Sequence, residues 1–122
     1  MIFDAKMLVV DDDQMMLDFA LGILASLGYE SASAPDAAAA LDLLERDPTI
    51  RAIMIDLRLG VAKNGAQLAR EALAIRPELR VILTSGDPGS LRIAGQNMPQ
   101  AVDLLRKPYR RSDLAARLTG VL

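Results

Sequence analysis

Short apolar runs alternate with longer segments of helical period along this 122-residue chain. The apolar runs are rich in Val, Ile, Leu and Ala, which is typical of strands buried on both faces. Between them, apolar residues recur at spacings of three and four, which predicts amphipathic helices. Five strands alternating with five helices predict a single α/β domain of parallel βαβ units that occupies residues 1–122.

The bounds of the elements follow from the places where the period breaks and where Gly, Pro and capping residues occur. Gly28 is expected to end the first helix, and Ser112 is expected to be the N-cap of the last one. The stretch from Ser85 to Gln100 contains three glycines and two prolines, so we expect its helix to be short and mobile. The predicted strands are 6–10, 29–34, 52–55, 80–83 and 102–105, and the predicted helices are 17–27, 37–46, 68–75, 90–96 and 112–121.

Four of the predicted strands run into polar residues. Asp11 and Asp12 follow strand 1, Asp56 follows strand 3, Thr84 follows strand 4 and Lys107 follows strand 5. The carboxyl ends of parallel strands share one edge of a sheet, which is where open α/β sheets bind their ligands. Carboxylates, a hydroxyl and an ammonium group at this edge could together hold a divalent cation and a phosphoryl group.

Composition narrows the chemistry of this predicted site. The chain has no cysteine and no histidine, which excludes disulfides and thiol nucleophiles and removes the commonest general base. Any metal is therefore expected to be a hard cation held by oxygen. A net charge of -2 and 3% aromatic residues do not indicate direct binding of nucleic acid. Without a membrane-length apolar stretch or a signal-peptide pattern, we expect a cytoplasmic protein without a membrane partner.

The carboxylates are expected to divide between metal binding and covalent chemistry. Asp11, Asp12 and Asp56 would repel one another unless a cation neutralised them. We expect Asp12 to bind the metal directly, Asp11 to act partly through water, and Asp13 to cap the following helix or face solvent. Asp56 is the expected nucleophile, because carboxylates attack phosphoryl groups to form aspartyl phosphates.

Thr84 and Lys107 would complete the site by holding phosphoryl oxygens. Lys107 would also be the counter-charge of the carboxylates. Each residue alone has a simple structural explanation, since Asp often caps helices, Thr is common in strands and Lys is usually solvated. In this order, at these strand ends, they are specific for phosphoryl chemistry.

These motifs resemble the receiver domain of two-component response regulators over essentially the whole chain. The resemblance implies a doubly wound parallel sheet of order 2-1-3-4-5, with helices on both faces. It also implies that Asp56 accepts phosphate, in a Mg²⁺-dependent reaction, from a phosphohistidine of a sensor histidine kinase or a histidine phosphotransfer protein. The matching segments are LVVDDD at 8–13, IDL at 55–57, LTSG at 83–86 and LRKPY at 105–109.

The resemblance also implies which groups surround the phosphate. Asp12, Asp56 and the backbone carbonyl of Arg58 would bind Mg²⁺ directly, with Asp11 assisting. The bond between Lys107 and the following proline would be cis, as is typical of the family. The groups implied to hold phosphoryl oxygens are Thr84, Lys107 and the backbone N–H groups of Arg58 and Ser85.

The chain departs from the family pattern at two places. Receivers usually carry Phe or Tyr three residues before the lysine, where this chain has Leu104. Tyr109 lies on the wrong side of Lys107 to replace that aromatic switch residue. In the loop after the phosphoacceptor, many receivers have proline where this chain has Gly60, and they often reach the helix-starting glycine one residue sooner than Gly65.

Three functions are compatible with these residues. The first is a phosphoacceptor module that acts by protein–protein interaction or onward phosphotransfer, with no enzymatic activity beyond phosphorylation and dephosphorylation of Asp56. The second is a haloacid-dehalogenase-type phosphohydrolase, with Asp11 as the nucleophile and Asp13 as the acid/base. The third is a pseudo-receiver that binds a partner without phosphate, for which Leu104 is the main support. The output partner is open, and a homodimer through the strand 4–strand 5 face is one candidate.

Overall fold

The computed structural model describes residues 6–59, 64–99 and 102–119. In these ranges five parallel strands form one sheet of order β2-β1-β3-β4-β5, which confirms the implied fold. No helix in the same ranges has the length and apolar character needed to cross a membrane. In chain order the elements are β1 (Lys6–Val10), α1 (Gln14–Ser26), β2 (Glu30–Ala34), α2 (Ala37–Arg46), β3 (Ile50–Asp56), α3 (Gly65–Ile75), β4 (Arg80–Ser85), α4 (Pro88–Gln96), β5 (Asp103–Arg106) and α5 (Arg111–Leu118).

Helices cover both faces of the sheet, which explains why the three central strands β1, β3 and β4 are largely apolar. Ile53 and Ile55 of β3 pack in a core with residues of α2, α3 and α4. Ala52 and Met54, which alternate with them, pack in a second core with α1 and α5. Successive residues of a strand point to opposite faces. In β3 both sets are therefore apolar, and its polar residues lie near the two ends of the strand.

Two strands extend further than the sequence pattern predicts. β3 begins at Ile50 rather than at residue 52 and continues to Asp56, and β4 continues through Thr84 to Ser85. The reason is backbone pairing, because Asp56 lies opposite Thr84 in the parallel register of these strands. Both residues are therefore held by the sheet ladder and not by a loop.

Helix α4 begins at Pro88, two residues before its predicted start. The Asp87 side chain caps it by accepting a hydrogen bond from the Gly89 N–H at 3.0 Å. Proline suits the first helical position because its missing N–H would have no partner there. At nine residues the helix is short, as expected. Its expected mobility stays a prediction.

The prediction that Ser112 caps the last helix is wrong. Helix α5 begins at Arg111 and Arg110 is its N-cap. The Arg110 N–H donates to the Asp113 carboxylate at 2.8 Å, so the acidic residue three positions after the cap satisfies this backbone donor. Ser112 consequently lies inside the first turn. Of the positions named in the sequence predictions, Gly60, Gln100 and the last two residues of the predicted helix 112–121 lie outside the described residues.

Candidate functional site

The carboxyl ends of the strands bring residues from distant parts of the chain into one ion-paired cluster. Asp11 directly follows β1, Asp56 ends β3 and Lys107 directly follows β5. The Lys107 Nζ lies 3.0 Å from an Asp11 carboxylate oxygen and 3.4 Å from an Asp56 carboxylate oxygen. One ammonium group therefore bridges two carboxylates, as the position of these residues at strand ends predicted.

Three carboxylates in this cluster could share one cation. Oxygen atoms of Asp11, Asp12 and Asp56 all lie within 4.8 Å of one another. Asp11 and Asp56 are only 5% and 9% exposed, whereas Asp12 is exposed. The donors are all oxygen and all anionic, which is the set that a hard divalent cation such as Mg²⁺ prefers. The residues therefore fit the metal that the resemblance implies, and solvent reaches the group at Asp12.

The Asp56 carboxyl lies in surroundings that disfavour its charge. Burial raises its pKa, and the negative charge of Asp11 raises it further, while Lys107 acts in the opposite direction. The backbone N–H of Arg58 favours the ionised form of this carboxylate and so acts to lower its pKa. The net shift is upward, so the ionised form that a nucleophile needs would gain from a nearby cation.

Asp11 and Asp13 have different structural tasks. Asp11 accepts hydrogen bonds from the Lys107 Nζ and from the Asp13 backbone N–H, both at 3.0 Å. The Asp13 side chain accepts from the Met15 N–H at 3.0 Å and is the N-cap of α1. The prediction that Asp13 serves as a helix cap is therefore confirmed.

A cavity of about 390 Å³ opens beside Asp56. Thr84, which lies opposite Asp56 in the sheet, is buried, with only 3% of its surface exposed. Its Oγ1 donates a long hydrogen bond of 3.5 Å to the Ile55 carbonyl oxygen. This contact is weak at that length, so the hydroxyl can turn at low cost. The residues that line the cavity are Asp56, Arg58, Ser85, Gly86, Asp87 and Lys107.

Leu104 and Tyr109 lie on opposite faces of the sheet. Leu104 packs with the core on the side of α2, α3 and α4, and both of its methyl carbons lie 3.3 Å from the point where a Cβ on Gly95 of α4 would be. Tyr109 belongs to the other core, where its ring centroid is 5.5 Å from that of Phe19. Tyr109 therefore packs away from Leu104, and the prediction that it does not replace the aromatic switch residue stays a prediction. The Lys107–Pro108 bond is cis, as the resemblance implied.

Sequence reasoning did not predict that two further residues, Gly65 and Asp87, lie at the site. A Cβ on Gly65 would lie 2.3 Å from the Asp56 carbonyl oxygen, so α3 starts against the backbone of Asp56. A glycine at the start of a helix soon after a strand-terminal Asp is the signal that could have indicated this close approach. Asp87 lines the cavity, and its position before Pro88 marks it as a helix cap but not as a site residue.

Comparisons with known proteins agree with this geometry. The model of the family described as "Response regulator receiver domain" matches residues 7–119. Response regulator MprA of Mycolicibacterium vanbaalenii is 31% identical over 118 residues, or 96% of this chain and 50% of MprA, so this chain spans about half the length of the curated relatives it matches. The receiver domain of NtrX from Brucella abortus is 30% identical, with a TM-score of 0.85 over 95% of this chain and 97% of that one. For a CheY-like receiver domain from Methanospirillum hungatei JF-1, the identity is 27% and the TM-score 0.83, over 93% of this chain and 90% of that one. With strand order, site geometry and family match in agreement, this chain belongs to the response regulator receiver domain family.

Proposed function

We propose that residues 1–122 are the phosphoacceptor module of a two-component phosphorelay, and that Asp56 receives the phosphoryl group. The donor is a phosphohistidine of a sensor histidine kinase or of a histidine phosphotransfer protein. The observation that carries the proposal is the Lys107 ammonium, 3.4 Å from Asp56 and beside three carboxylates that could hold a cation. A carboxylate nucleophile needs such positive charge when a phosphoryl dianion approaches it.

The metal and Lys107 have complementary tasks in this proposal. Mg²⁺ or Mn²⁺, held by Asp11, Asp12, Asp56 and the backbone carbonyl of Arg58, would offset the charge of the incoming phosphoryl group. The Lys107 ammonium, which bridges two carboxylates in the free domain, would turn toward one phosphoryl oxygen. A lysine suits this task because its three donors can rotate from one oxygen to another.

The transfer step needs little more than positioning. An Asp56 carboxylate oxygen attacks the phosphorus, the oxygen–phosphorus bond forms and the nitrogen–phosphorus bond breaks. The imidazole nitrogen keeps the electron pair of the broken bond and takes a proton from solvent. The Thr84 hydroxyl leaves its weak contact with the Ile55 carbonyl and donates to a phosphoryl oxygen. The backbone N–H groups of Arg58 and Ser85 donate to the others.

The phosphorylated domain would act through protein–protein interaction or would pass its phosphate onward. Its only covalent chemistry would be the gain and loss of phosphate at Asp56. The matched relatives are longer chains, so the output partner could be a separate protein or another part of a longer one. A homodimer through the β4–β5 face stays a prediction.

The phosphohydrolase alternative has less support. It requires Asp13 as a free acid/base next to the nucleophile Asp11, but the Asp13 carboxylate caps α1 through the Met15 N–H. The pseudo-receiver alternative is supported by Leu104. However, a pseudo-receiver that binds its partner without phosphate would not need Lys107 to bridge Asp11 and Asp56 beside a candidate cation site.

Incubation with acetyl phosphate and Mg²⁺ tests the proposal by intact-mass measurement. The wild-type chain should gain the mass of one phosphate, and the gain should disappear in Asp56→Asn and in EDTA. Asp13→Asn is the matched control, because Asn also caps helices and this variant should be phosphorylated like the wild type. No gain in the wild type, or an unchanged gain in Asp56→Asn, would contradict the proposal. Turnover of a phosphomonoester that is lost in Asp11→Asn and kept in Asp56→Asn would favour the hydrolase.

A further inference from the structure

An aromatic contact joins α1 to the segment that follows Lys107. Tyr109 lies two residues after Lys107, and its ring centroid is 5.5 Å from that of Phe19 in α1, with the ring planes tilted by 49°. Tyr109 is only 4% exposed and packs in the core with α1 and α5, whereas Phe19 is 46% exposed. Aromatic pairs in tilted geometry attract each other beyond the effect of burial, so this contact holds the two segments together where the core meets the surface.

Phe19 belongs to the helix that starts at the carboxylates of the site. α1 is capped by Asp13, and Asp11 and Asp12 directly precede that cap. A helix that shifts carries its first turn and its cap with it. A movement of Phe19 away from Tyr109 would therefore be transmitted to the segment that carries these carboxylates.

Tyr109 anchors the chain on the far side of Lys107. The Lys107 N–H donates to the Ser85 carbonyl oxygen at 2.9 Å, which ties its backbone to β4. Two residues later the Tyr109 ring enters the core. The lysine side chain is flexible, so the reach of its ammonium depends on where these two anchors place the backbone. In the structure they place the Lys107 Nζ 3.0 Å from Asp11 and 3.4 Å from Asp56.

Tyr109 contributes its ring and not a charge. Burial chiefly raises the pKa of Tyr109 to about 12, and the negative charges of Asp11 and Asp56 act in the same direction, so its phenol is neutral at neutral pH. Neither Tyr109 nor Phe19 is among the residues that line the cavity beside Asp56. An effect of the two rings on phosphorylation must therefore pass through another residue, and Lys107 is the site residue that lies nearest to Tyr109 along the chain.

We propose that Tyr109, held by Phe19, is a positioning residue for Lys107. The ring contact fixes the distance between the Lys107 ammonium and the Asp56 carboxylate, so that the ammonium meets the phosphoryl group as it bonds to Asp56. This inference rests on the proposed function of Asp56. A misplacement of about 1 Å can slow an enzymatic reaction about 100-fold even when the substituted residue is remote from the reacting atoms. A small shift of the Lys107 backbone is therefore enough to slow phosphorylation.

A double-mutant cycle with Lys107→Met tests this role through the rate of phosphorylation of the full chain by acetyl phosphate and Mg²⁺. Tyr109→Leu keeps an apolar side chain in the core but loses the ring contact. It should slow phosphorylation by about 2- to 10-fold, the equivalent of one aromatic pair. In the Lys107→Met background it should cause no further slowing, because the residue through which Tyr109 acts is absent. Tyr109→Phe keeps the ring and should react like the wild type.

Two further variants separate positioning from a general loss of stability. Phe19→Leu changes a half-exposed residue, so the chain should fold, and phosphorylation should slow as in Tyr109→Leu. Ile50→Val is the control, because Ile50 is buried in the core on the other face of the sheet, at the amino end of β3. This substitution should lower the free energy of unfolding and leave the phosphorylation rate unchanged.

Four results would overturn the inference alone. They are equal slowing by Tyr109→Leu with and without Lys107, a Tyr109→Phe rate as low as that of Tyr109→Leu, wild-type rates in both leucine variants, and slowing in Ile50→Val equal to that in Phe19→Leu. A wild-type chain that gains no phosphate would overturn both the inference and the proposed function.

Discussion

Gly65 lies directly against the backbone of Asp56, so the first residue of α3 packs on the proposed phosphoacceptor. A Cβ at this position would lie 2.3 Å from the Asp56 carbonyl oxygen and 2.7 Å from the Leu57 Cα. The Gly65 N–H also donates to the Leu57 carbonyl oxygen at 2.9 Å. Since the obstructing atoms belong to the backbone, they cannot move aside as a flexible side chain would. The position of Asp56 therefore depends on a glycine at the start of α3.

Gly65→Ala should destabilise the domain and impair phosphorylation. The added methyl group must displace α3 from the end of β3, at a cost of about 1–3 kcal/mol, as is usual for overpacking. Urea unfolding should show this loss, and phosphorylation by acetyl phosphate should slow because the Asp56 carboxylate moves relative to Lys107. Gly22→Ala in α1 is the control. Nothing lies within 4 Å of a Cβ there, so this variant should gain about 0.5–1 kcal/mol from helix propensity. Equal stability of the Gly65→Ala and wild-type chains would contradict the packing argument.

Asp56→Asn should stabilise the domain when no divalent cation is present. A carboxyl whose folded-state pKa is raised favours folding while it is protonated and loses that contribution as the pH rises through the folded pKa. Burial and the charge of Asp11 raise the pKa of Asp56 above its ordinary 3.8, so at pH near 7 its ionised form opposes folding. Thermal unfolding in EDTA should therefore give a higher Tm for Asp56→Asn than for the wild type.

Millimolar Mg²⁺ should reduce the difference in Tm between Asp56→Asn and the wild type, or reverse its sign. A cation that binds only the folded state stabilises it by mass action, and the wild type has one more carboxylate than the variant with which to bind it. The Tm of the wild type should therefore rise more than that of Asp56→Asn. An equal rise in both, or no rise in either, would count against the metal assignment.

Lys107→Met should slow phosphorylation of Asp56. The substitution removes the ammonium that lies 3.4 Å from Asp56 and that would hold a phosphoryl oxygen. A charge-assisted hydrogen bond contributes about 1.5–3 kcal/mol, which corresponds to about a 10- to 100-fold lower rate with acetyl phosphate. Lys6→Met is the matched control, because Lys6 is the first residue of β1 and pairs with Asp47, away from the site at the carboxyl ends of the strands. A Lys107→Met rate equal to that of the control would refute the role of the ammonium.

The pair of Lys6 and Asp47 should make stability depend on pH in acid. Lys6 donates to Asp47 at 2.8 Å, and this bond, with those from Thr49, lowers the pKa of Asp47 from 3.8 to about 2. The contribution of a carboxylate with a lowered pKa is present above its unfolded value and is lost as the pH falls through its folded value. Urea unfolding of the wild type should therefore lose stability between these two pH values, with a shallower loss in Lys6→Met.

Asp42→Asn is the comparison for this pH dependence. Asp42 pairs with Arg46 on the surface of α2, where both side chains are exposed, and such pairs contribute little. The Asp42→Asn variant should therefore lose stability in acid to the same extent as the wild type. If Lys6→Met retained the full loss of stability in acid, the pair would not be its source.

The site could be predicted from sequence as far as chain topology determines it. Asp11, Asp56 and Lys107 follow apolar runs, and parallel strands must bring their carboxyl ends to one edge. The pattern therefore predicted their meeting without any knowledge of side-chain packing. The same reasoning placed the apolar runs in a sheet covered on both faces, because a strand without alternation has no solvent face.

Features that depend on tertiary packing could not be predicted. Gly65 is a helix-starting glycine in the sequence, but its close approach to Asp56 depends on where α3 packs. Ser112 is a good capping residue, yet the Asp113 carboxylate accepts a hydrogen bond from the Arg110 N–H, and the N-cap lies two residues earlier, at Arg110. The absence of an aromatic at Leu104 was visible in the sequence, whereas its packing against α4 was not.

Mapping the phosphate to a residue tests the central claim most directly. Borohydride reduces an aspartyl phosphate to homoserine and releases phosphate, which marks the acceptor permanently. Trypsin then releases residues 52–58, a peptide in which Asp56 is the single carboxylate side chain. After treatment with acetyl phosphate and Mg²⁺, we predict homoserine at position 56 in the wild type and none without Mg²⁺. Homoserine at another position, or an unmodified 52–58 peptide from a chain that has gained phosphate, would contradict the assignment of Asp56 as the phosphoacceptor.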